Sequence, residues 1–265
     1  MIRKLSYMDR EDPNTLVSCG HENLVIWKVK NKFISNLPLK LNEHAKGTSF
    51  NDFDVLKKKL NKKSQGRMGV NTNCIFIIYF VSSRGYLYIV DYVSAEMKSV
   101  LKLHKSAINA VKISKKHHFF MTGGEDQFLK VWSLDSTELL YDFKLESQIL
   151  SMATNSDDKI IVSTLNGSVG CVDLQNKMYK NLIRSHAGKI LDVAYNNRKK
   201  SVVTVSDDHT IRLWDLKLKM NQSYEFQCLD QMPTRVCSFH FNDYICVGFD
   251  SGMIRIFDIE DNIFL

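Results

Sequence analysis

Proline is scarce in this chain, with three among 265 residues, and glycine is limited to 12. Together with the lack of any low-complexity stretch, this excludes a collagen-like or disordered chain. Long apolar runs are missing too: the longest, Cys74 to Val81, falls far short of the roughly 20 residues a spanning helix needs. No membrane association is expected. The N-terminal stretch Met1 to Arg10 has no apolar h-region and reaches an acidic residue at Asp9, so neither a secretory nor a mitochondrial presequence is predicted. The six cysteines (Cys19, Cys74, Cys171, Cys228, Cys237, Cys246) show no C-x-x-C spacing and mostly lie in apolar strand-like runs. They read as reduced core thiols in a cytosolic or cytoskeletal compartment. G-x-x-x-x-G-K, H-E-x-x-H and paired-cysteine motifs are all absent, so the sequence predicts no catalytic site, no cofactor and no metal. The adjacent His117-His118 reads as a solvated turn, since a metal site needs further converging ligands.

What is present is an ordinary globular composition, 44% hydrophobic and 25% charged, with self-similarity at a fixed period. Short segments ending in an aromatic residue or Val recur as Leu24-Val-Ile-Trp-Lys28, Leu87-Tyr-Ile-Val-Asp91, Leu129-Lys-Val-Trp-Ser133, Val169-Gly-Cys-Val-Asp173, Ile211-Arg-Leu-Trp-Asp215 and Ile254-Arg-Ile-Phe-Asp258. Their fourth residues fall at 27, 90, 132, 172, 214 and 257, at intervals of 63, 42, 40, 42 and 43. The first interval is one period plus about 21 residues of insertion. Each unit also repeats an internal grammar, clearest where the alternating Ile190 to Tyr195, the β-branched Ser201 to Val205 and the alternating Ile211 to Trp214 are separated by polar turns. Sustained helical periodicity is nowhere found. Four short strands per unit of 40 to 45 residues predict an all-β propeller of six blades, in which each small sheet buries two apolar faces against its neighbours.

The unit resembles the WD repeat, whose signature is an early His, a Ser or Thr on the second strand, an Asp in the next turn and a closing Trp-Asp. One unit carries His186, Thr204, Asp208 and Trp214-Asp215; another carries His104, Thr122, Asp126 and Trp132. The chemistry of that set is structural. A buried Trp needs an acceptor for its indole N–H, the Thr hydroxyl supplies one and in turn reaches the His, and the His reaches the Asp. The same residue types also build nucleophile triads, but their duplication in two units favours scaffolding.

Charge is local. Between residues 28 and 67 there are eleven Lys or Arg against three acidic residues, a net of +8 in a chain whose total is +7. The stretch Val55 to Met68, containing Lys57, Lys58, Lys59, Lys62 and Lys63, reads as a lysine-rich loop or short helix inserted in the second repeat. Lys28, Lys30 and Lys32 add to the same field. One reading is a solvated loop, the other an electrostatic contact with an anionic partner. No aromatic residue lies between Val55 and Met68, which disfavours nucleic acid, whose bases need stacking platforms. An acidic protein lattice fits better.

Further stretches are similar to the large multi-propeller WD-repeat protein of centriole and basal-body walls (the proteome-of-centriole sixteen type), related in layout to echinoderm-microtubule-associated-protein-like proteins. They are Ser18 to Trp27, Asn42 to Ala45 with Phe50 to Asp54, Tyr79 to Gly85, Leu182 to His186 with Val205 to Leu216, and Val247 to Gly252. The resemblance runs from about residue 15 to 260. It implies a protein-interaction scaffold in the cytoplasm or cytoskeleton, at a cilium axoneme, basal body or centriole, with tubulin or microtubule-associated proteins as partners. Such proteins are far longer and carry a microtubule-binding N-terminal module that has no match here, so direct tubulin binding does not transfer. A subunit of a ribosome-biogenesis or other RNA–protein particle is the alternative. Six units of about 42 residues slightly exceed the chain once the insertion is set aside, which predicts an incomplete ring, a ring closed by a partner, or part of a longer multi-propeller chain.

Overall fold

The computed structural model describes the chain except for residues 1, 10–11, 31–32, 40–42, 60–73, 115, 155–158, 175, 185, 216–220, 229, 240–242, 261–262 and 265. Six four-stranded antiparallel sheets follow one another along the sequence, each connected as a simple meander. The first contains β1 (Ile2–Asp9), β2 (Asp12–Gly20), β3 (Asn23–Lys30) and β4 (Phe33–Pro38). The second contains β5 (Phe50–Lys59), β6 (Cys74–Ser82), β7 (Tyr86–Asp91) and β8 (Glu96–Lys102). The third comprises β9 (Ile108–Ser114), β10 (Phe119–Gly124), β11 (Phe128–Ser133) and β12 (Leu139–Lys144). The fourth comprises β13 (Ile149–Thr154), β14 (Lys159–Thr164), β15 (Ser168–Asp173) and β16 (Met178–Arg184). The fifth comprises β17 (Ile190–Asn196), β18 (Ser201–Ser206), β19 (Thr210–Asp215) and β20 (Asn221–Gln227). The sixth comprises β21 (Pro233–Ser238), β22 (Tyr244–Phe249), β23 (Ile254–Asp258) and β24 (Ile263–Phe264). Residues 27, 90, 132, 172, 214 and 257 all lie on the third strand of their sheets.

Packing divides the chain into two compact units, one formed by Met1–Asp126 with Trp132–Glu138 and the other by Gln127–Val131 with Leu139–Leu265. Within the first, the two-residue strand period assigns alternate side chains to different cores. On β6, Ile78 and Phe80 join Val17, Cys19, Leu24 and Ile26 of the first sheet. Their neighbours Tyr79 and Val81 join Ile108, Val111, Phe120 and Trp132. The second sheet is thus apolar on both faces, the arrangement that radially packed blades require.

The second unit repeats this logic. Val202 of β18 packs with Ala153, Ile161 and Val169 of the fourth sheet. Ala194, Val203, Val205, Ile211 and Leu213 pack on the opposite side with Val236, Ile245, Val247, Phe249 and Phe257 of the sixth.

The turn between second and third strands has a fixed conformation. A positive φ recurs there at Glu22, Gly85, Gln127, Gly167, His209 and Gly252. At Gly85 and Gly167 a side chain is excluded for a second reason, because an added Cβ would lie 2.4 Å from the His104 carbonyl oxygen and 2.6 Å from that of His186. Glycine there lets the turn slide beneath the backbone of the histidine that opens the next repeat unit.

The lysine-rich stretch departs from the sequence expectation. Val55 to Lys59 is neither loop nor helix but the end of a ten-residue β5, with Leu56 opposite Ile77, Lys57 opposite Phe76 and Lys58 opposite Ile75. The physical reason lies in the partner: Ile75 to Val81 is β-branched and aromatic throughout, and it templates pairing past the point where the charge run begins. Lys62 and Lys63 lie outside the described residues, as does Lys32.

Candidate interaction surface and the networks that hold it

His186 closes a hydrogen-bonded chain across the fifth sheet. The Trp214 indole donates to Thr204 Oγ1 at 2.9 Å, Thr204 Oγ1 lies 2.7 Å from His186 Nε2, and His186 Nδ1 lies 2.9 Å from Asp208 Oδ2. Asp208 also accepts from the Thr210 hydroxyl at 2.6 Å and the Ala187 amide at 3.0 Å. Burial pushes the Asp208 carboxyl up, but the hydrogen bonds from Thr210 and His186 outweigh it and hold the group at about 2. An ionised carboxylate only accepts, so His186 carries its proton on Nδ1 and its Nε2 accepts from Thr204. Burial holds His186 below its usual range, against the pull of Asp208, which keeps the imidazole neutral and completes the pattern.

His104 repeats the arrangement. Trp132 Nε1 to Thr122 Oγ1 is 2.8 Å, Thr122 Oγ1 to His104 Nε2 is 2.7 Å, and His104 Nδ1 lies 2.9 and 3.0 Å from the two Asp126 oxygens. Thr122 and Thr204 are both 0% exposed. A nucleophilic hydroxyl must meet a substrate, whereas these two accept from an indole and are sealed from solvent. Their chemistry is to satisfy buried groups and fix strand register. The first sheet keeps a fragment of the pattern, Trp27 Nε1 to Ser18 Oγ at 2.8 Å. The sixth has Phe257 and Val247 at the positions of Trp214 and Thr204 in the register, which removes donor and acceptor together.

A second set of polar links has no motif in the sequence. Asp52 is the third residue of β5 and Asp192 the third of β17. Asp52 Oδ2 accepts from the Val111 amide of the next sheet at 2.9 Å, and Asp192 Oδ2 accepts from the Val236 amide of its next sheet at 3.1 Å. Backwards, Asp52 pairs with Lys4 of β1 and Asp192 accepts from the Ser151 hydroxyl of β13 at 2.5 Å. Lys4 also donates to the Phe53 carbonyl at 2.7 Å. Burial opposes its charge, yet the carboxylates of Asp52 and Asp54 outweigh burial and raise its pKa. The visible signal was an acidic residue between apolar neighbours, in Phe50-Asn-Asp-Phe53 and Ile190-Leu-Asp-Val193.

The basic side chains converge on an aromatic pair. Lys57 Nζ lies 5.9 Å from the Phe76 ring centroid and Lys28 Nζ lies 5.6 Å from that of Tyr92. Phe76 and Tyr92 meet edge to face with centroids 6.1 Å apart. The structure therefore places Lys28 of the first sheet and Lys57 of the second over one aromatic pair, with Lys30 and Lys58 exposed nearby in sequence. Lys59 ends the same strand. The aromatics absent between Val55 and Met68 are supplied by β6 and by the turn that follows β7, and each lies beneath a lysine. His117 stands apart from this edge and stacks on Phe119 at 5.8 Å.

Six blade-like meanders, a period near 42 residues and two Trp–Thr–His–Asp networks are the features of a WD-repeat β-propeller protein. The family described as "WD domain, G-beta repeat" matches residues 95–133 and 177–215, the segments that close with Trp132-Ser133 and Trp214-Asp215. Over 268 residues the chain is 26% identical to WD repeat-containing protein 90 of Xenopus tropicalis, covering 94% of this chain and 14% of that protein. The human protein of the same name is 24% identical over 94% of this chain and 15% of its own length. Centriole proteome protein 16 of Chlamydomonas reinhardtii is 32% identical over 112 residues, 42% of this chain and 5% of that protein. The chain thus spans about one seventh of the length of the first two relatives.

Proposed function

We propose that the chain is a non-enzymatic protein-interaction scaffold of a ciliary, basal-body or centriolar microtubule assembly, contacting tubulin or a microtubule-associated protein through its basic edge. The observation that carries this reading is the convergence of Lys28 and Lys57 on the Phe76–Tyr92 pair. It gathers charge from two sheets at one place, and a concentrated positive field is what an acidic lattice attracts. Lys58 extends it along β5, and Lys59, Lys62 and Lys63 follow in sequence. The similarity to a protein named for the centriole proteome supports the assembly named.

The test is co-sedimentation with microtubule assemblies across a salt series, comparing the wild type with a variant carrying Lys57, Lys58, Lys59, Lys62 and Lys63 all changed to Gln. Charge-driven contacts weaken with ionic strength because the Debye length falls to about 8 Å at physiological salt. The variant is expected to bind more weakly and with a flatter salt dependence. Identical curves for the two proteins remove the basic edge from the function. A tagged protein that accumulates in the nucleolus rather than at basal bodies or axonemes favours the RNA-particle alternative.

A further inference from the structure

Among the six cysteines, which are all free, two stand directly opposite each other. Cys237 of β21 and Cys246 of β22 are Cα partners in the antiparallel register. Cys237 is exposed and Cys246 half-buried, on the face of the sixth sheet that also carries Arg235, Gly248, Ile254 and Ile256. The opposite face, with Val236, Ile245, Val247 and Phe257, is the one packed on the fifth sheet.

This differs from the expectation of core thiols. Cys19 and Cys228 do lie buried in apolar cores. The Cys237–Cys246 pair does not, because the face it occupies is open. In the fifth sheet the equivalent cross-strand pair is Ala194 opposite Val203, and both are covered by the sixth sheet.

We infer that Cys237 and Cys246 form an oxidisable cross-strand dithiol, a modification site that closes to a disulfide when a low-molecular-weight disulfide such as glutathione disulfide is in excess. Directly opposed residues of an antiparallel pair hold their Cβ atoms about 4.5–5.5 Å apart, and a disulfide wants about 3.5–4.5 Å. A small approach of the two side chains therefore closes the bond without a change of register. The more exposed Cys237 attacks first. Its thiolate displaces one glutathione from the disulfide, leaving a mixed disulfide at Cys237; the Cys246 thiolate then attacks the Cys237 sulfur and expels the second glutathione. The protein loses two electrons and two protons, and one glutathione disulfide becomes two glutathione thiols, so the exchange balances. Partial burial and the neighbouring thiol push the Cys237 pKa up to about 11. The thiolate is consequently rare at neutral pH, and the rate rises about tenfold per pH unit in the alkaline direction until that value is approached.

The experiment is incubation of the purified chain, under native conditions, with glutathione disulfide in excess over glutathione, followed by mass analysis of proteolytic peptides. The expected product is one linked peptide joining Cys237 to Cys246, with two hydrogens lost and reversal by a dithiol reductant. Cys19, which burial pushes up to about 12, stays unmodified and serves as the internal control for a folded chain. Cys237→Ser and Cys246→Ser variants, if folded by that control, are expected to stop at a glutathione adduct on the remaining cysteine. Wild-type protein that keeps both thiols free, carries separate adducts without a link, or links either cysteine elsewhere while Cys19 stays unmodified overturns the inference. The wild-type arm alone decides it if the variants do not fold.

Discussion

The fifth and sixth sheets carry the same face in the same register, and it is closed in one and open in the other. Ile211 on β19 corresponds to Ile254 on β23, yet Ile211 is 0% exposed and Ile254 71%. Leu213 and Ile256 repeat the contrast at 3% and 39%. In the fifth sheet this face meets β21, β22 and Phe257 of the sixth. Strand alternation places an apolar side chain on a face, and burial then depends on whether another sheet lies there. The sixth sheet is also thinner on that side, with Cys246 and Gly248 where the fifth has Val203 and Val205, so the same pattern carries less apolar volume.

The largest effect comes from truncating the paired isoleucines. Ile211→Ala removes three carbons from a packed core and is expected to cost about 2–5 kcal/mol. Ile254→Ala removes the same atoms from an exposed site and is expected to stay within about 0.5 kcal/mol. Denaturant midpoints at constant m-value give the comparison directly. Equal losses would mean that the sixth sheet's outer face is covered in solution, and the contrast between the sheets would collapse.

A smaller difference separates the polar interiors. Thr204→Val keeps the shape but strands the Trp214 indole N–H and the His186 Nε2, at an expected cost of about 1–3 kcal/mol. The sixth sheet has Val247 at that position naturally and Phe257 at the indole's place, so it carries neither orphan. A double variant, Thr204→Val with Trp214→Phe, copies the sixth sheet into the fifth and is expected to recover the part of the loss that comes from the stranded indole. No recovery would show that the hydroxyl acts mainly through His186.

Much of this was legible in the residues. The period, the two-faced strands and the two complete His–Thr–Asp–Trp sets follow from spacing and residue type, because a repeated unit writes its constraints repeatedly. The links made by Asp52 and Asp192 were not legible as links: their partners are backbone amides 59 and 44 residues away, and an amide leaves no mark in a sequence. The extension of β5 through Lys59 was hidden by its charge, which suggested a loop, although its partner strand was the most apolar run in the chain. Nor does spacing reveal that Cys237 and Cys246 are opposed, since that depends on a hairpin register.

The smallest effect near neutrality, and the sharpest test of the difference, is the response to acid. Burial keeps His186 neutral below its usual range, while an unfolded histidine takes up a proton near pH 6.5. The unfolded state therefore binds more protons as pH drops, and the stability contributed by neutral His186 is present above about 6.5 and lost below it. Asp208, held at about 2, adds a second loss only as pH falls from about 4 toward that value. Neither group has a counterpart beside Val247 and Phe257. Amide-exchange protection, corrected for intrinsic rates, is accordingly expected to fall between pH 7.5 and 5.5 in β18 and β19 and to hold in β22 and β23. His186→Gln should abolish that first decline while leaving the second. A parallel decline in both sheets would place the acid sensitivity outside the His186 network and leave the two sheets distinguished by packing alone.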